Sequence, residues 1–331
     1  GVGNKTRREI MDLVGKLRSK FPQSAIPERP AADVPTEKID DESTAPLSVD
    51  ALTALLLPVE RSASGKVSRQ ILAAFLELDD SATGPPKYPT QAQIAERSGK
   101  ARAQISQVIT KARDRWRRSV PQLTPIRTEL AEFIAAEGGV VHIAELAQFL
   151  LASRRSDAPE PLATRRAAAM VRAALEAEKP SESCRFEERR HGDLYLVARS
   201  EAPFGEAAID YAEKLADTGR TLSATDPLPS PARVLETLRA IPAPIPGLRD
   251  DRLVRVAAAH PRVAVSPRLE LYPRGLDALR ALKLAQSSLA GVARITADEL
   301  RTRVHDRYPE AQPLPDPPEL HRLVEEAGLG L

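Results

Sequence analysis

The sequence predicts a mainly α-helical protein that carries small β-hairpins. From Ser48 onward, apolar residues recur every three or four positions in most segments, which is the period of an amphipathic helix. Two short segments, 185–188 and 194–198, flank His191-Gly192-Asp193, and this arrangement is typical of two strands joined by a tight turn. The 331 residues exceed the about 100–200 residues of a single domain, so we expect several modules.

Composition excludes several classes of protein. The chain is 42% apolar and 28% charged, and it contains no run near the roughly 18 apolar residues that a membrane span requires. One cysteine, Cys184, and five scattered histidines offer no cluster at zinc-ligand spacing, so we expect no metal and no cofactor. The scarcity of cysteine favours the reducing cytoplasm. The Gly-x-Gly start without Met leads us to expect a piece of a longer protein.

The first 46 residues predict a short helix followed by a linker. Residues 1–21 combine a Gly-x-Gly turn with an apolar stripe at helical spacing. They resemble the second half of a helix-hairpin-helix, as in the C-terminal domain of the polymerase alpha subunit, where backbone amides receive a DNA phosphate. A plain helix entry is the alternative. Residues 22–46 are rich in Pro and acids without apolar period, so we expect a flexible linker.

Residues 89–108 carry the pattern of two helices joined by a tight turn. Thr90 and Gln93 are spaced for a capping box that opens the first helix. Gly99 suits the positive φ of the turn. Small and apolar residues follow at the spacing that two crossing helices require, namely Ala95, Ile105 and Val108. Residues 47–120 are therefore predicted to form a helix-turn-helix domain.

The polar face of the second helix supplies the main candidate DNA-binding residues. Planar or cationic side chains there can reach base edges and phosphates in a major groove. These residues are Lys100, Arg102, Gln104, Ser106, Gln107, Lys111, Arg113, Arg117 and Arg118. Residues 97–118 hold eight basic residues against Asp114, a local charge of +7, while the whole chain has a charge of +2. An Arg-rich helix can also be only a solvated surface, and this alternative stays open.

The basic segment resembles region 4 of bacterial sigma factors over residues 64–118. The likeness depends on the capping residues, the turn glycine and the polar second helix described above. It implies binding to double-stranded DNA. No preceding segment resembles the parts of a sigma factor that hold core polymerase, so a complete sigma factor is not expected.

Three further modules are predicted after residue 120. Residues 121–200 read as three helices and a hairpin, the order of a winged helix. Its candidate DNA contacts are Arg165, Arg166 and Arg172 on the third helix and Arg189, Arg190 and His191 on the hairpin. Acidic neighbours in the hairpin would repel phosphate, so protein docking is the alternative. Residues 201–275 predict a helical, winged-helix-like domain. Residues 276–331 predict a truncated winged helix, because Ile295-Thr296-x-x-Glu299-Leu300 repeats Val141-His142-x-x-Glu145-Leu146.

The order of parts resembles the C-terminal, non-kinase region of the Ser/Thr protein kinase of phage-growth-limitation (BREX type 2) defence systems. The resemblance depends on residues 1–10, the sigma-like segment, and residues 303–310 running into 313–320. It implies a cytoplasmic antiviral complex and a kinase domain upstream of Gly1. This chain itself has no glycine-rich phosphate loop and no Asp-Phe-Gly, and His305-Asp306 lacks the downstream Asn of a catalytic loop.

The residues together predict a DNA-binding, regulatory region rather than an enzyme. We find no nucleophile with a base, no carboxylate pair and no metal cluster, so we expect no catalytic residues and no small-molecule substrate. Double-stranded DNA is the expected partner. The alternative is a scaffold whose modules dock other defence-system proteins.

Overall fold

The computed structural model describes residues 47–60, 62–79, 84, 86–181, 183–289 and 295–329. The described chain is mainly helical and contains two small antiparallel sheets. This agrees with the predicted class. The predictions for residues 1–21 and 22–46 lie outside the described residues.

The described residues between 47 and 120 form four helices, and serine side chains begin the first two of them. Ser48 Oγ accepts from Ala51 N at 3.3 Å, and Ser62 Oγ accepts from Gly65 N at 3.1 Å. The helices are α1 Val49–Leu56, α2 Ala63–Leu76, α3 Gln91–Ser98 and α4 Arg102–Ser119.

The next segment has three helices and a three-stranded sheet. The elements are α5 Leu123–Ala136, β1 Val140–His142, α6 Ile143–Arg154, α7 Leu162–Glu178, β2 Phe186–His191 and β3 Leu194–Arg199. The strand order is β1-β3-β2, and both pairings are antiparallel. Val197 lies at the centre, opposite Val141 on one side and Glu188 on the other. The predicted hairpin is confirmed, with Gly192 at a φ of 61° in its turn.

Residues 201–275 contain a long helix that the sequence analysis did not predict. The elements are α8 Glu206–Ser223, α9 Pro231–Arg239, α10 Asp250–Ala257, β4 Val263–Val265 and β5 Leu271–Pro273. The buried side chains of α8, among them Ile209, Ala212 and Leu215, follow helical spacing. The two strands pair antiparallel, with Ala264 opposite Tyr272.

Three helices close the described chain, and they are α11 Ala278–Leu289, α12 Ala297–Arg307 and α13 Glu319–Glu326. The predicted capping box of α12 is confirmed, because Glu299 N donates to Thr296 Oγ1 at 3.2 Å and Thr296 N donates to Glu299 Oε2 at 3.1 Å. The aligned pair at the start of α6 makes a similar cap, in which His142 Nδ1 accepts from Ala144 N at 3.3 Å. His142 N donates to Glu145 Oε1 at 2.9 Å, so the two segments do repeat a helix start.

Three clusters of buried apolar side chains support these elements. The first cluster extends from Val49 in α1 to Val197 in β3, so it crosses the boundary predicted at residue 120. The second joins the other face of the sheet to α8, α9 and α10. The third lies among Tyr272, α11, α12 and α13. The predicted modules at residues 47–120 and 121–200 therefore share one hydrophobic core.

A buried arginine holds α10 against β1 and α6. Arg252 is 1% exposed. Its Nη2 donates to Val140 O at 3.1 Å, and its Nε lies 2.9 Å from the carboxylate of Glu137. Its Nη1 donates to the Glu145 carboxylate. A buried guanidinium is stabilised only when its donors are satisfied in this way, so this contact fixes the junction between two cores.

Gly219 allows α8 and α10 to approach each other closely. A Cβ at this buried position would lie 2.3 Å from Ala257 O, which is backbone and cannot turn aside. We therefore predict that Gly219→Ala lowers the free energy of unfolding by about 2 kcal/mol through overpacking, although alanine favours helix. Urea denaturation measures this change. Gly247→Ala is the control, because a Cβ there meets nothing within 4 Å, and an equal loss in both variants would contradict the packing argument.

Candidate nucleic-acid interface

The turn between α3 and α4 has the geometry that its sequence predicts. Thr90 N donates to Gln93 Oε1 at 2.8 Å, and Gln93 N donates to Thr90 Oγ1 at 3.2 Å, which completes the capping box. Gly99 ends α3 with a φ of 63°, in the left-handed region that favours glycine. α4 begins three residues later, at Arg102. Two local signals therefore fix the direction in which α4 leaves the turn.

The apolar side of α4 is buried along its whole length. Ile105, Ile109, Ala112 and Trp116 belong to the same buried cluster as Ile94 of α3. Val108, which was predicted on the buried side, is half-buried at its edge. The opposite side of the helix must therefore face away from the core.

The first half of α4 presents a polar, solvent-exposed face. Lys100, Arg102, Gln104, Gln107 and Lys111 are exposed, and Ser106 is half-buried. Within the part of the chain that the structure describes, none of these side chains has an ion-pair or hydrogen-bond partner. The same holds for Arg97 in α3 and for Arg118. These groups are free to meet an external anion.

The second half of α4 uses its cations internally. Arg113 Nε donates to Glu176 Oε2 of α7 at 2.6 Å. Arg117 Nη1 donates to Pro180 O at 3.3 Å and lies 3.7 Å from Asp114. Arg113 and Arg117, both predicted to contact DNA, therefore have partners within the protein. Arg118 has none among the described residues.

Arg115 and Trp116 attach α4 to the end of α1. Arg115 donates to three successive carbonyl oxygens, those of Leu55 at 2.6 Å, Leu56 at 2.8 Å and Leu57 at 3.2 Å. Trp116 Nε1 also donates to Leu56 O, at 2.9 Å. The last carbonyls of a helix lack intrahelical partners and carry partial negative charge, so a guanidinium there stabilises the C-terminus. Burial lowers the pKa of Arg115.

Glu176 is the centre of a charge network at the C-terminal end of α7. Its side chain is 7% exposed and lies 2.8 Å from Lys179 Nζ as well as beside Arg113. Lys179 Nζ also lies 3.5 Å from Glu188 Oε2 of β2, and Glu188 accepts a hydrogen bond from the Tyr195 hydroxyl. Burial alone would raise the pKa of Glu176, but Lys179 and Arg113 outweigh burial and lower it. Glu176 is therefore a carboxylate that neutralises part of the basic helix.

Arg172 of α7 joins the two helices that precede the turn. Its side chain is buried, its Nη1 donates to Phe75 O at 2.6 Å, and its Nη2 donates to Pro89 O at 2.7 Å. Its guanidinium carbon also lies 3.6 Å from the centroid of the Phe75 ring. Phe75 is in the last turn of α2, and Pro89 immediately precedes the N-cap of α3. One side chain therefore sets the spacing between α2 and α3.

The hairpin holds the same segment from a second side. Arg190 of β2 donates to Tyr88 O and, at 3.1 Å, to Lys87 O. Glu77 Oε2 accepts from the backbone N–H groups of both residues, at 2.7 Å from Lys87 and 2.8 Å from Tyr88. Tyr88 is buried at a φ of 49° and packs edge-on against Tyr195, with ring centroids 5.4 Å apart. The segment leading into α3 is thus held by charged side chains of another predicted module.

The other arginines of residues 121–200 that were predicted to contact DNA are also buried or paired within the protein. Arg165 is 9% exposed, with Nε and Nη1 buried. Arg166 donates to Asp50 Oδ1 at 2.7 Å. Arg189 pairs with Asp210 and, at 3.3 Å, with Glu213 of α8. The structure therefore separates Arg165, Arg166, Arg189 and Arg190 from the exposed set on α4.

Sequence reasoning counted Arg115 and Arg172 among the possible DNA contacts and did not identify Glu176, whereas the structure gives all three internal partners. The only local signal is a cation or carboxylate on an Ala-rich, otherwise apolar stretch, as at Arg172 in α7. No helix in the described ranges is long and apolar enough to cross a membrane. The described residues also contain no group of three or more His, Cys, Asp or Glu side chains placed to hold a metal ion.

Comparison with known proteins adds an independent observation. This chain is similar to part of a larger protein. The relative is described as "Probable kinase PglW" from Streptomyces coelicolor (strain ATCC BAA-471 / A3(2) / M145), and the two are 31% identical over 329 aligned residues. The match covers 86% of this chain but 21% of the relative, so the chain spans about a fifth of that protein's length. No protein-family model and no solved structure matches the sequence.

Removal of the Arg172 guanidinium should destabilise the whole first core. In Arg172→Leu, the buried carbonyls of Phe75 and Pro89 lose their donors. We predict that the free energy of unfolding falls by about 3 kcal/mol, measured by urea denaturation. Arg233→Leu removes an exposed arginine of α9 and should change stability by less than about 0.5 kcal/mol. Equal stability of the two variants would contradict a bridging role for Arg172.

The Glu176 network makes a pH-dependent contribution to stability. Because the folded-state pKa of Glu176 is lowered, its contribution is complete above the unfolded pKa of about 4.3 and is lost as pH falls through the folded pKa. We predict that Glu176→Gln is about 2 kcal/mol less stable than the parent chain at neutral pH. The difference should shrink as pH falls below about 4.

Urea denaturation at several pH values measures this difference. Glu236→Gln is the control, because Glu236 is 68% exposed and pairs with Arg233 on the surface. A Glu176→Gln deficit that stays constant with pH would exclude the ionised carboxylate as its cause.

Proposed function

We propose that this chain binds double-stranded DNA through the helix-turn-helix formed by α3 and α4. The observation that carries the proposal is the exposed, unpartnered polar face on the first half of α4, which lies directly after the Gly99 turn. In helix-turn-helix proteins, residues near the N-terminus of the second helix contact base edges. The position of Arg102 and Gln107 in the first two turns of α4 agrees with that geometry.

The proposed face combines a neutral centre with cationic flanks. At 100° per residue, Ala103, Gln107 and Thr110 lie opposite the buried residues of α4, and Arg102 and Lys111 lie to either side of them. Planar amides and small side chains suit base edges, whereas long cations suit phosphates. We therefore assign base contacts to Gln104 and Gln107. Phosphate contacts are assigned to Lys100, Arg102, Lys111 and Arg118, with Ser106 at the edge of the face.

The number of free cations limits the electrostatic part of binding. Arg97, Lys100, Arg102, Lys111 and Arg118 are the cations of residues 97–118 that have no partner among the described residues. Each phosphate contact contributes a slope of about −0.9 to the logarithm of the binding constant against the logarithm of salt concentration. Five contacts would give a slope of about −4.5 at most. Eight contacts, one for each basic residue of the segment, would give about −7.

We further propose that the chain is a non-kinase region of a longer phage-defence kinase, and that it localises or regulates the attached kinase domain in the cytoplasm. The similarity to a protein described as a probable kinase supports this proposal. So does the absence from the sequence of a glycine-rich phosphate loop and of Asp-Phe-Gly. The resemblance to the phage-growth-limitation kinase points to the same larger protein.

A protein-docking role for residues 121–200 is the second candidate. The basic residues of its third helix and hairpin contact other parts of this chain, as Arg190 does with Tyr88 and Arg189 with Asp210. Such a module holds the helix-turn-helix in place instead of touching DNA itself. By extension, it can dock other defence-system proteins on its remaining surface.

Substitution of three exposed residues tests the DNA-binding proposal. Arg102→Ala, Gln107→Ala and Lys111→Ala together should weaken binding to a random duplex of about 20 base pairs at least about tenfold. The salt slope should become shallower by about 2, because two cations are removed. Fluorescence anisotropy at salt concentrations from about 50 to 200 mM measures both quantities. Helical circular dichroism should not change, since all three side chains are exposed.

A charge-matched variant provides the control. Lys214→Ala with Arg220→Ala removes the same two positive charges from the exposed side of α8 and should leave affinity and salt slope unchanged. Equal losses in both variants would show a non-specific charge effect, and unchanged affinity in the α4 variant would exclude α4 as the DNA contact. DNA-independent capture of a protein partner by both variants would favour the docking role.

A further inference from the structure

A cleft of about 660 Å³ lies between α6 and the β4–β5 hairpin, in a different part of the chain from the α4 face. Its walls are mainly apolar. Phe133 and Phe149 stack with ring centroids 4.5 Å apart and an interplanar angle of 25°. Val265, Pro267 and Leu269 of the β4–β5 segment also line the cleft. Ligand sites in proteins have this range of volumes and this predominance of apolar lining, and they are common between modules.

Most polar side chains that line the cleft already have partners in the protein. Glu145 binds Arg252 and the backbone of His142, and His142 Nδ1 accepts from Ala144 N at 3.3 Å. Ser266 donates to Glu270 at 3.0 Å. Arg274 pairs with Glu310 and donates to Val263 O at 3.1 Å. These groups shape the cleft, but their hydrogen bonds are already made.

Two polar side chains in the lining are different. Arg255 of α10 and Gln148 of α6 are both exposed, and neither has a partner within the described ranges. They come from two different helices. The two acids of the lining are paired, Glu145 with Arg252 and Glu310 with Arg274, so neither of them occupies the guanidinium of Arg255.

We propose that this cleft is a binding site for a small, flat, apolar anion, such as an aromatic carboxylate, sulfonate or phosphate ester. The apolar body contacts Phe149 and the wall at Val265 and Leu269. The anionic group accepts hydrogen bonds from Arg255, and a second polar group of the ligand pairs with Gln148. The site is independent of DNA binding, so it stands whether or not α4 contacts DNA.

Two fluorescent probes that differ by one charge test the proposal on the full chain. The anionic probe is 8-anilinonaphthalene-1-sulfonate, and N-phenyl-1-naphthylamine is the same body without the sulfonate. We expect saturable one-to-one binding of the sulfonate probe to the folded chain. Arg255→Gln should weaken its binding about tenfold, since a charge-assisted contact is lost. The same variant should change binding of the neutral probe by less than about twofold, because that probe has no group for Arg255.

A second variant fills the cleft without disturbing a core. Ala152 is exposed and lines the cleft, so Ala152→Trp should leave helical circular dichroism unchanged and weaken both probes at least about tenfold. Arg233→Gln on α9 is the control and should bind both probes like the parent chain. The proposal is overturned by any of three results: no one-to-one saturation, an equal effect of Arg255→Gln on both probes, or unchanged binding in Ala152→Trp.

Discussion

The buried guanidinium of Arg172 is the contact on which the proposed DNA-binding surface depends. It donates to Phe75 O and Pro89 O and so fixes the end of α2 relative to the start of α3. Burial lowers the pKa of Arg172, and its two short hydrogen bonds and the Phe75 ring offset part of the lost hydration, while its Nε is buried with no hydrogen-bond partner among the described residues. The turn at Gly99 then determines the direction of α4. The exposed helix is consequently positioned by a residue about 70 positions later in the sequence, in a helix that presents no surface to DNA in this proposal.

The basic residues of segment 97–118 fall into two groups, those that have partners within the protein and those that are exposed without one among the described residues. In the sequence, all eight basic residues contribute equally to the local charge of +7. In the structure, Arg113 contacts Glu176, Arg115 contacts the end of α1, and Arg117 contacts Pro180. These contacts attach the second half of the helix to the core, while the first half is packed through Ile105 and Ile109 and exposes its polar side. A helix that is packed along one side and exposed along the other is well suited to bind a groove, because its orientation is set before any ligand binds.

Local signals in the sequence predicted the local structure well. The capping boxes at Thr90 and Thr296, the left-handed Gly99 and the β2–β3 hairpin each depend on residues a few positions apart, and all are confirmed. α8 was not predicted, although its buried residues follow helical spacing. The partners of the arginines could not be predicted, because Arg113 lies 63 positions from Glu176 and Arg166 lies 116 from Asp50. A single sequence shows the charge of a residue but not which distant residue it contacts. The unpartnered and the paired cations therefore could not be distinguished from the sequence.

The buried clusters are continuous across the boundaries between the predicted modules, so these modules are packed against each other. The first cluster passes from α1 to β3 without a break at residue 120, and Arg252 connects α10 to β1 and α6 by charged contacts. The sheet serves two cores, because Val197 packs on one face and Leu196 on the other. A hairpin used in this way cannot also lie freely in a DNA groove, since both faces of its sheet are packed and Arg189 and Arg190 already have partners. The same reasoning explains why Arg102, Lys111 and Arg118 have no partner among the described residues, because α4 contributes one side to a core and leaves the other unpacked.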